Sequence, residues 1–108
     1  MTNVDIDPGI CGFVTRVEAT RDPVEDSTDV TLDVESGCVP IMTMIADLGT
    51  AFDSYELCLV RPGKGPLYEY ASTHLPPHCA CPVISGITKA VEVECGLALP
   101  KDVSITFA

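Results

Sequence analysis

From Phe13 to Thr20 the residues Phe13, Thr15, Val17 and Ala19 fall on one side of an extended chain while Arg16 and Glu18 fall on the other, the two-residue period of a half-buried strand. A polar, proline-containing connection from Arg21 to Thr28 follows, and then Val30, Leu32 and Val34 alternate with Thr31, Asp33 and Glu35, which predicts a second strand. The period then changes. Pro40 suits the first turn of a helix with apolar positions Ile41, Met44, Ile45 and Leu48, ended by Gly49. Asp53 is placed to cap a short helix through Leu57, Cys58 and Val60, and Arg61 to Pro66 reads as a loop. Leu67, Tyr70, Ala71 and His74 have helical spacing, stopped by Leu75-Pro76-Pro77. Pro82 opens the longest helix, with Ile84, Ile87, Val91 and Cys95 on one stripe and Gly96 as its left-handed stop. Val103, Ile105 and Phe107 alternate with Ser104 and Thr106, predicting a closing strand. Met1 to Ile10, with Asp5, Asp7, Pro8 and Gly9, shows no periodicity and reads as an extended lead-in. Strands first and helices afterwards predict an α+β fold, a small antiparallel sheet of about three strands covered on one face by about three helices.

The 108 residues suffice for a single domain, 1–108, because single cores commonly take about 100 to 150 residues. With 46% hydrophobic residues the chain has the apolar material for a core. Sixteen acidic against six basic residues give a formal charge of −10, which repels a phosphate backbone and argues against nucleic acid as a partner. No uninterrupted apolar run exceeds four residues, and Met1-Thr2-Asn3-Val4-Asp5 lacks a basic or apolar signal region. The expectation is a cytoplasmic protein with no membrane contact. The acidic stretch from Asp22 to Glu35 contains no D-x-D-x-D-G loop for calcium and reads as a solvated hairpin face.

Six cysteines and two histidines carry the candidate chemistry. In a reducing compartment cysteines are core residues, metal or cluster ligands, or reactive thiols rather than disulfides. Their spacing contains no Cys-x-x-Cys, so a simple zinc finger is excluded. If the hairpin keeps its two apolar sets on one side, paired residue numbers sum to about 49 and Cys11 stands opposite Cys38, both facing the helices. Cys38 precedes the helix opened by Pro40, and Cys81 precedes the one opened by Pro82, where unsatisfied N–H groups and the helix dipole favour a thiolate as ligand or nucleophile. Those two thiols are expected to react ahead of Cys58 and Cys95, whose apolar neighbours at helical spacing mark them as core. His78 lies three residues ahead of Cys81 behind two prolines, while Cys79 competes with Cys81 and His74 reads as a helix surface residue. Cys11, Cys38, His78 and Cys81 thus form a candidate set of three sulfurs and one nitrogen, suited to zinc or to an iron-sulfur cluster with one histidine ligand.

Cys11-Gly12 before a strand, Gly37-Cys38 between strand and helix, and Leu75-Pro76-Pro77-His78-Cys79 before a helix resemble, in order and setting, the three-cysteine layout of U-type (NifU-like) iron-sulfur cluster assembly scaffolds. That resemblance implies ligand roles for Cys11, Cys38, His78 and one of Cys79 or Cys81. Phe13 stands where the scaffold pattern has an aspartate, a departure that bears on labile cluster assembly. Cys81-Pro82-Val83, Lys89-Ala90-Val91-Glu92-Val93 and Gly96 to Val103 also resemble a family of small uncharacterised proteins from anaerobic archaea and bacteria, whose Cys-Gly-Phe and His-x-x-Cys-Pro-Val segments favour Cys81 over Cys79. The functional expectation is metal or iron-sulfur handling, as carrier, scaffold or structural metal protein rather than enzyme. Two alternatives belong to other classes: a thiol enzyme or persulfide carrier using Cys81 or Cys38 with His78 as base, and a metal-free module whose acidic hairpin meets a basic protein partner.

Overall fold

The computed structural model describes residues 1–108. Its elements follow in the order β1 (Thr2–Ile6), β2 (Thr15–Arg21), β3 (Asp29–Ser36), α1 (Val39–Leu48), β4 (Ala51–Asp53), α2 (Ser54–Cys58), α3 (Pro66–His74) and α4 (Val83–Glu94). The strands form one antiparallel sheet in the order β1-β2-β3-β4. The fold is therefore α+β, with a sheet of four strands where about three were expected. Thr15, Val17 and Ala19 of β2 and Val30, Leu32 and Val34 of β3 are buried, and α4 packs on β1 and β2 while α1 packs on β3. Ile41, Met44, Leu67, Ile87 and Val91 complete the core from the helix side. No helix is long and apolar enough to cross a membrane.

The local signals act as their chemistry requires. Gly49 caps α1 with its N–H on the Ile45 carbonyl, and the Asp53 carboxylate accepts from the Tyr55 N–H to start α2. Gly96, at φ 74°, turns the chain after α4. The hairpin register differs from expectation. Val17 faces Val34 and Ala19 faces Leu32, a displacement of two residues from the register that would set Cys11 against Cys38. Alternation fixes only parity, so both registers bury the same side chains; the turn decides. Asp22 builds that turn, its carboxylate accepting from the Val24 N–H at 3.0 Å and the Ser27 hydroxyl at 3.2 Å, with Asp26 at φ 66°.

Two other segments correct the sequence reading. The lead-in is a strand, because Val4 and Ile6 turn inward while Asn3 and Asp5 face solvent; two apolar residues among strand-poor Asn and Asp made a weak signal. The predicted closing strand is not formed: residues 103–107 pair with nothing in the sheet, have no regular secondary structure and are exposed.

Glu94 ties the last turn of α4 to the sheet. Its side chain is 7% exposed, and it accepts from Thr2 Oγ1 at 2.8 Å and the Arg21 N–H at 3.0 Å, with the Met1 ammonium 3.1 Å away. A carboxylate at a helix C-terminus is disfavoured by the dipole, and these three donors offset that. Burial raises the Glu94 pKa, but the Arg21 N–H, the Thr2 hydroxyl and the N-terminal charge outweigh it and hold the group below its ordinary value of 4.5. A depressed folded-state pKa contributes stability above the unfolded-state value that is lost as pH falls through the folded one. Glu94→Ala should therefore cost about 2 kcal/mol at neutral pH, with the difference from wild type shrinking in acid below the ordinary glutamate range. Urea unfolding at neutral pH and in acid measures it; a pH-independent difference would show that the charge plays no part.

Candidate functional site

Ile6, Thr15 and Ser36 lie in line at one end of the sheet, and Ile6 packs directly against Gly86 in the first turn of α4. Three segments therefore emerge at the same end of the molecule: the β1–β2 loop, the start of α1 and the approach to α4. They carry all four residues singled out as ligands.

Cys11 is exposed, in a tight turn where the Gly12 N–H donates to the Gly9 carbonyl and the Gly9 N–H to the Asp7 carboxylate. It is outside the sheet, so the expectation of an inward-facing thiol opposite Cys38 is corrected by the turn and the register together. Phe13 still brings this loop against Gly37, since a Cβ at Gly37 would lie 3.1 Å from the phenyl ring, and the Gly37 N–H reaches the Val14 carbonyl.

Cys38 is the N-cap of α1, with no side-chain cap, and is half-buried against the core. Its backbone N–H donates to Ser36 Oγ at 3.1 Å, and that hydroxyl also shares a 2.7 Å hydrogen bond with Thr15 Oγ1, fully buried across the strand pair. The clasp joins the start of β2, the end of β3 and the start of α1, and so fixes Cys38. Nothing in the hydrophobic pattern flagged Thr15 and Ser36; only their pairing makes the contact.

His78 and Cys81 close a second turn, in which the Cys81 N–H donates to the His78 carbonyl at 3.2 Å and the His78 N–H to the Pro76 carbonyl at 2.7 Å. His78 and Cys79 are exposed, whereas Cys81 is half-buried against the core immediately before Pro82, the N-cap of α4. All six cysteines are free thiols, and no group of three or more His, Cys, Asp or Glu side chains is drawn together closely enough to hold a metal ion. The four candidate ligands share an end of the molecule without meeting.

Cys58 and Cys95 both pack against the core. The Cys58 thiol donates to the Thr88 carbonyl at 3.6 Å, and burial, reinforced by the Glu92 carboxylate and by Cys95, pushes its pKa up to about 11. His74 is an exposed helix residue, stacked on Tyr70 with ring centroids 4.2 Å apart. The Tyr70 hydroxyl in turn donates to Asp47, linking α3 to α1 and holding the tyrosine pKa above its ordinary value.

A concavity of about 760 Å³ lies at the opposite end of the sheet, lined by Arg21, Asp22, Asp29, Phe52, Asp53 and Glu56 among others. Two of its carboxylates are engaged in the fold: Asp22 holds the β2–β3 turn and Asp53 caps α2. No cysteine or histidine lines it, so the thiol and imidazole chemistry lies elsewhere, with the four candidate ligands at the cysteine-bearing end.

A family of unknown function, DUF6951, matches residues 2–107. The chain belongs to that family. No curated protein and no solved structure matches it. Membership of DUF6951 carries no activity with it, so the function of this member rests on the arrangement of its own side chains.

Proposed function

We propose that this protein handles a soft metal ion or an iron-sulfur cluster at its cysteine-bearing end, as a carrier, scaffold or structural metal protein, with Cys11, Cys38, His78 and Cys81 as the donors. One observation carries the reading: three segments far apart in sequence deliver all four residues to the same end of the sheet. The donor set supports zinc or iron, since thiolate and imidazole select these over hard cations that prefer oxygen. The order of the cysteine segments, which resembles that of U-type scaffolds, points the same way. Cys38 is fixed by the Ser36 and Thr15 hydroxyls, whereas Cys11 and His78 sit in exposed turns, so binding requires the two turns to close toward Cys38. Coupling between ligand binding and local ordering is ordinary for small metal sites. The thiol-enzyme alternative has less support, because the His78–Cys81 turn is held through its backbone and supplies no contact between imidazole and thiol.

Protein purified without oxygen and incubated with zinc, or with ferrous iron and sulfide, should retain metal by elemental analysis, and the iron form should absorb in the visible. Cys38→Ala and Cys81→Ala should each weaken retention at least about tenfold, whereas Cys58→Ala should leave it unchanged. If Cys79→Ala rather than Cys81→Ala weakens binding, the third thiol has been misassigned. Wild-type protein that retains neither metal would end the proposal.

A further inference from the structure

Beyond α4 the Leu97 and Ala98 N–H groups both turn back to the Glu92 carbonyl, and from Leu99 onward no backbone group is hydrogen-bonded to the rest of the chain's backbone. This segment is not polar. Leu99 is 88% exposed, Val103 61%, Ile105 83% and Phe107 99%. From Val103 to Phe107 apolar residues alternate with Ser104 and Thr106, five residues of β-branched, aromatic and hydroxyl side chains with the period of a strand that has one buried face. The segment thus has the composition and periodicity of a strand and lacks a neighbour.

The same chain carries a matching vacancy in its sheet. β1 is an edge strand of five residues, paired only with β2. On its inward side Ile6 is buried but Thr2 and Val4 stay half-buried, whereas Val17 and Ala19 of β2 and Val30, Leu32 and Val34 of β3 are buried, since nothing flanks β1 on its outer edge. The other edge, β4, has three residues and passes at once into α2, so it offers a shorter ladder. Glu94 fastens the end of α4 to Met1, Thr2 and Arg21, so the chain leaves that helix at the end of the sheet where β1 begins.

We propose that residues 103–107 are an exchanged strand that pairs with the open edge of β1 in a second copy of this chain, while the partner copy returns its own segment. Val103, Ile105 and Phe107 then lie beside Thr2 and Val4, the half-buried inward residues of β1, and Ser104 and Thr106 join its solvated outer face. Donor and acceptor belong to one sequence, so the contact is reciprocal and closes as a twofold dimer. The outer sheet face, carrying Asp5, Glu18, Asp33 and Glu35 in a chain of net charge −10, is left outside the interface, where like charges would repel.

Sedimentation of the full chain up to about 100 μM should show a dimer, and amide exchange should show protection both in residues 102–107 and along Thr2–Ile6. Ile105→Asp and Phe107→Asp should each weaken the dimer at least about tenfold while leaving the circular dichroism of the fold intact, because neither side chain contributes to the monomer core. A monomer throughout that range overturns the proposal. So does a dimer indifferent to both substitutions, or a monomer whose 102–107 amides are protected, which would mean that the segment closes on its own sheet.

Discussion

Replacing Gly65 with alanine is expected to destabilise the protein by about 3 to 4 kcal/mol, a large part of the 5 to 15 kcal/mol that holds a domain of this size together. Gly65 is the N-cap of α3 and adopts φ 90°, ψ 167°, a region open in practice only to glycine. The position also has no room. A Cβ there would lie 2.7 Å from the backbone carbonyl oxygen of Glu56 in α2, and a backbone atom cannot swing aside as a side-chain tip can. Strain and clash add, because α3 can relieve the contact only by withdrawing from α2 and loosening Leu67 from the core. The expected result is a drop in Tm of more than about 10 °C. Gly63→Ala is the control: its φ is 84°, but a Cβ there meets nothing within 4 Å, so it should cost only about 1 kcal/mol. Equal, small losses at both positions would show that the approach of α3 to α2 is looser than the structure has it.

In the folded protein at mildly alkaline pH, Cys58 should be alkylated at least about tenfold more slowly than Cys79. A rise from 9.0 to about 11 reduces the thiolate fraction of Cys58 roughly a hundredfold. A more basic thiolate is intrinsically more nucleophilic, and a Brønsted slope of about 0.5 recovers half of that loss on a logarithmic scale, leaving a deficit of roughly tenfold that restricted access deepens. Cys11 and Cys79, both exposed, should label first; the half-buried Cys38 and Cys81 should follow, still ahead of Cys58. The order keeps Cys38 and Cys81 ahead of Cys58, as expected from their helix positions, and sets them behind the exposed thiols because the core against which they pack limits access. Peptide mass spectrometry after brief exposure to iodoacetamide reads it directly. Uniform labelling of the six thiols would remove the distinction between core and surface cysteines on which the candidate site rests.

What the sequence determined by itself was local. Pro40 and Gly49 bracket α1, Asp53 caps α2, Leu75-Pro76-Pro77 stops α3 and Gly96 follows α4, each because particular residues satisfy or forbid a backbone geometry. The buried faces of β2 and β3 were legible too, since a period of two assigns every side chain to a face, and so was the core setting of Cys58 and Cys95. Tertiary structure alone decided the matters that depend on which segments meet. Parity does not choose between registers two residues apart; the Asp22 turn does, and that choice moved Cys11 away from Cys38. Alternation also does not guarantee pairing: Thr2–Ile6, with a weaker pattern, found an edge beside β2, while Val103–Phe107, with a clearer one, found none within the chain. A strand is completed by hydrogen bonds to a neighbour, and the neighbour lies far away in sequence or in another molecule. The same reason leaves the four candidate ligands at one end without contact: topology collects segments, but only side-chain packing and a bound partner bring their donor atoms together.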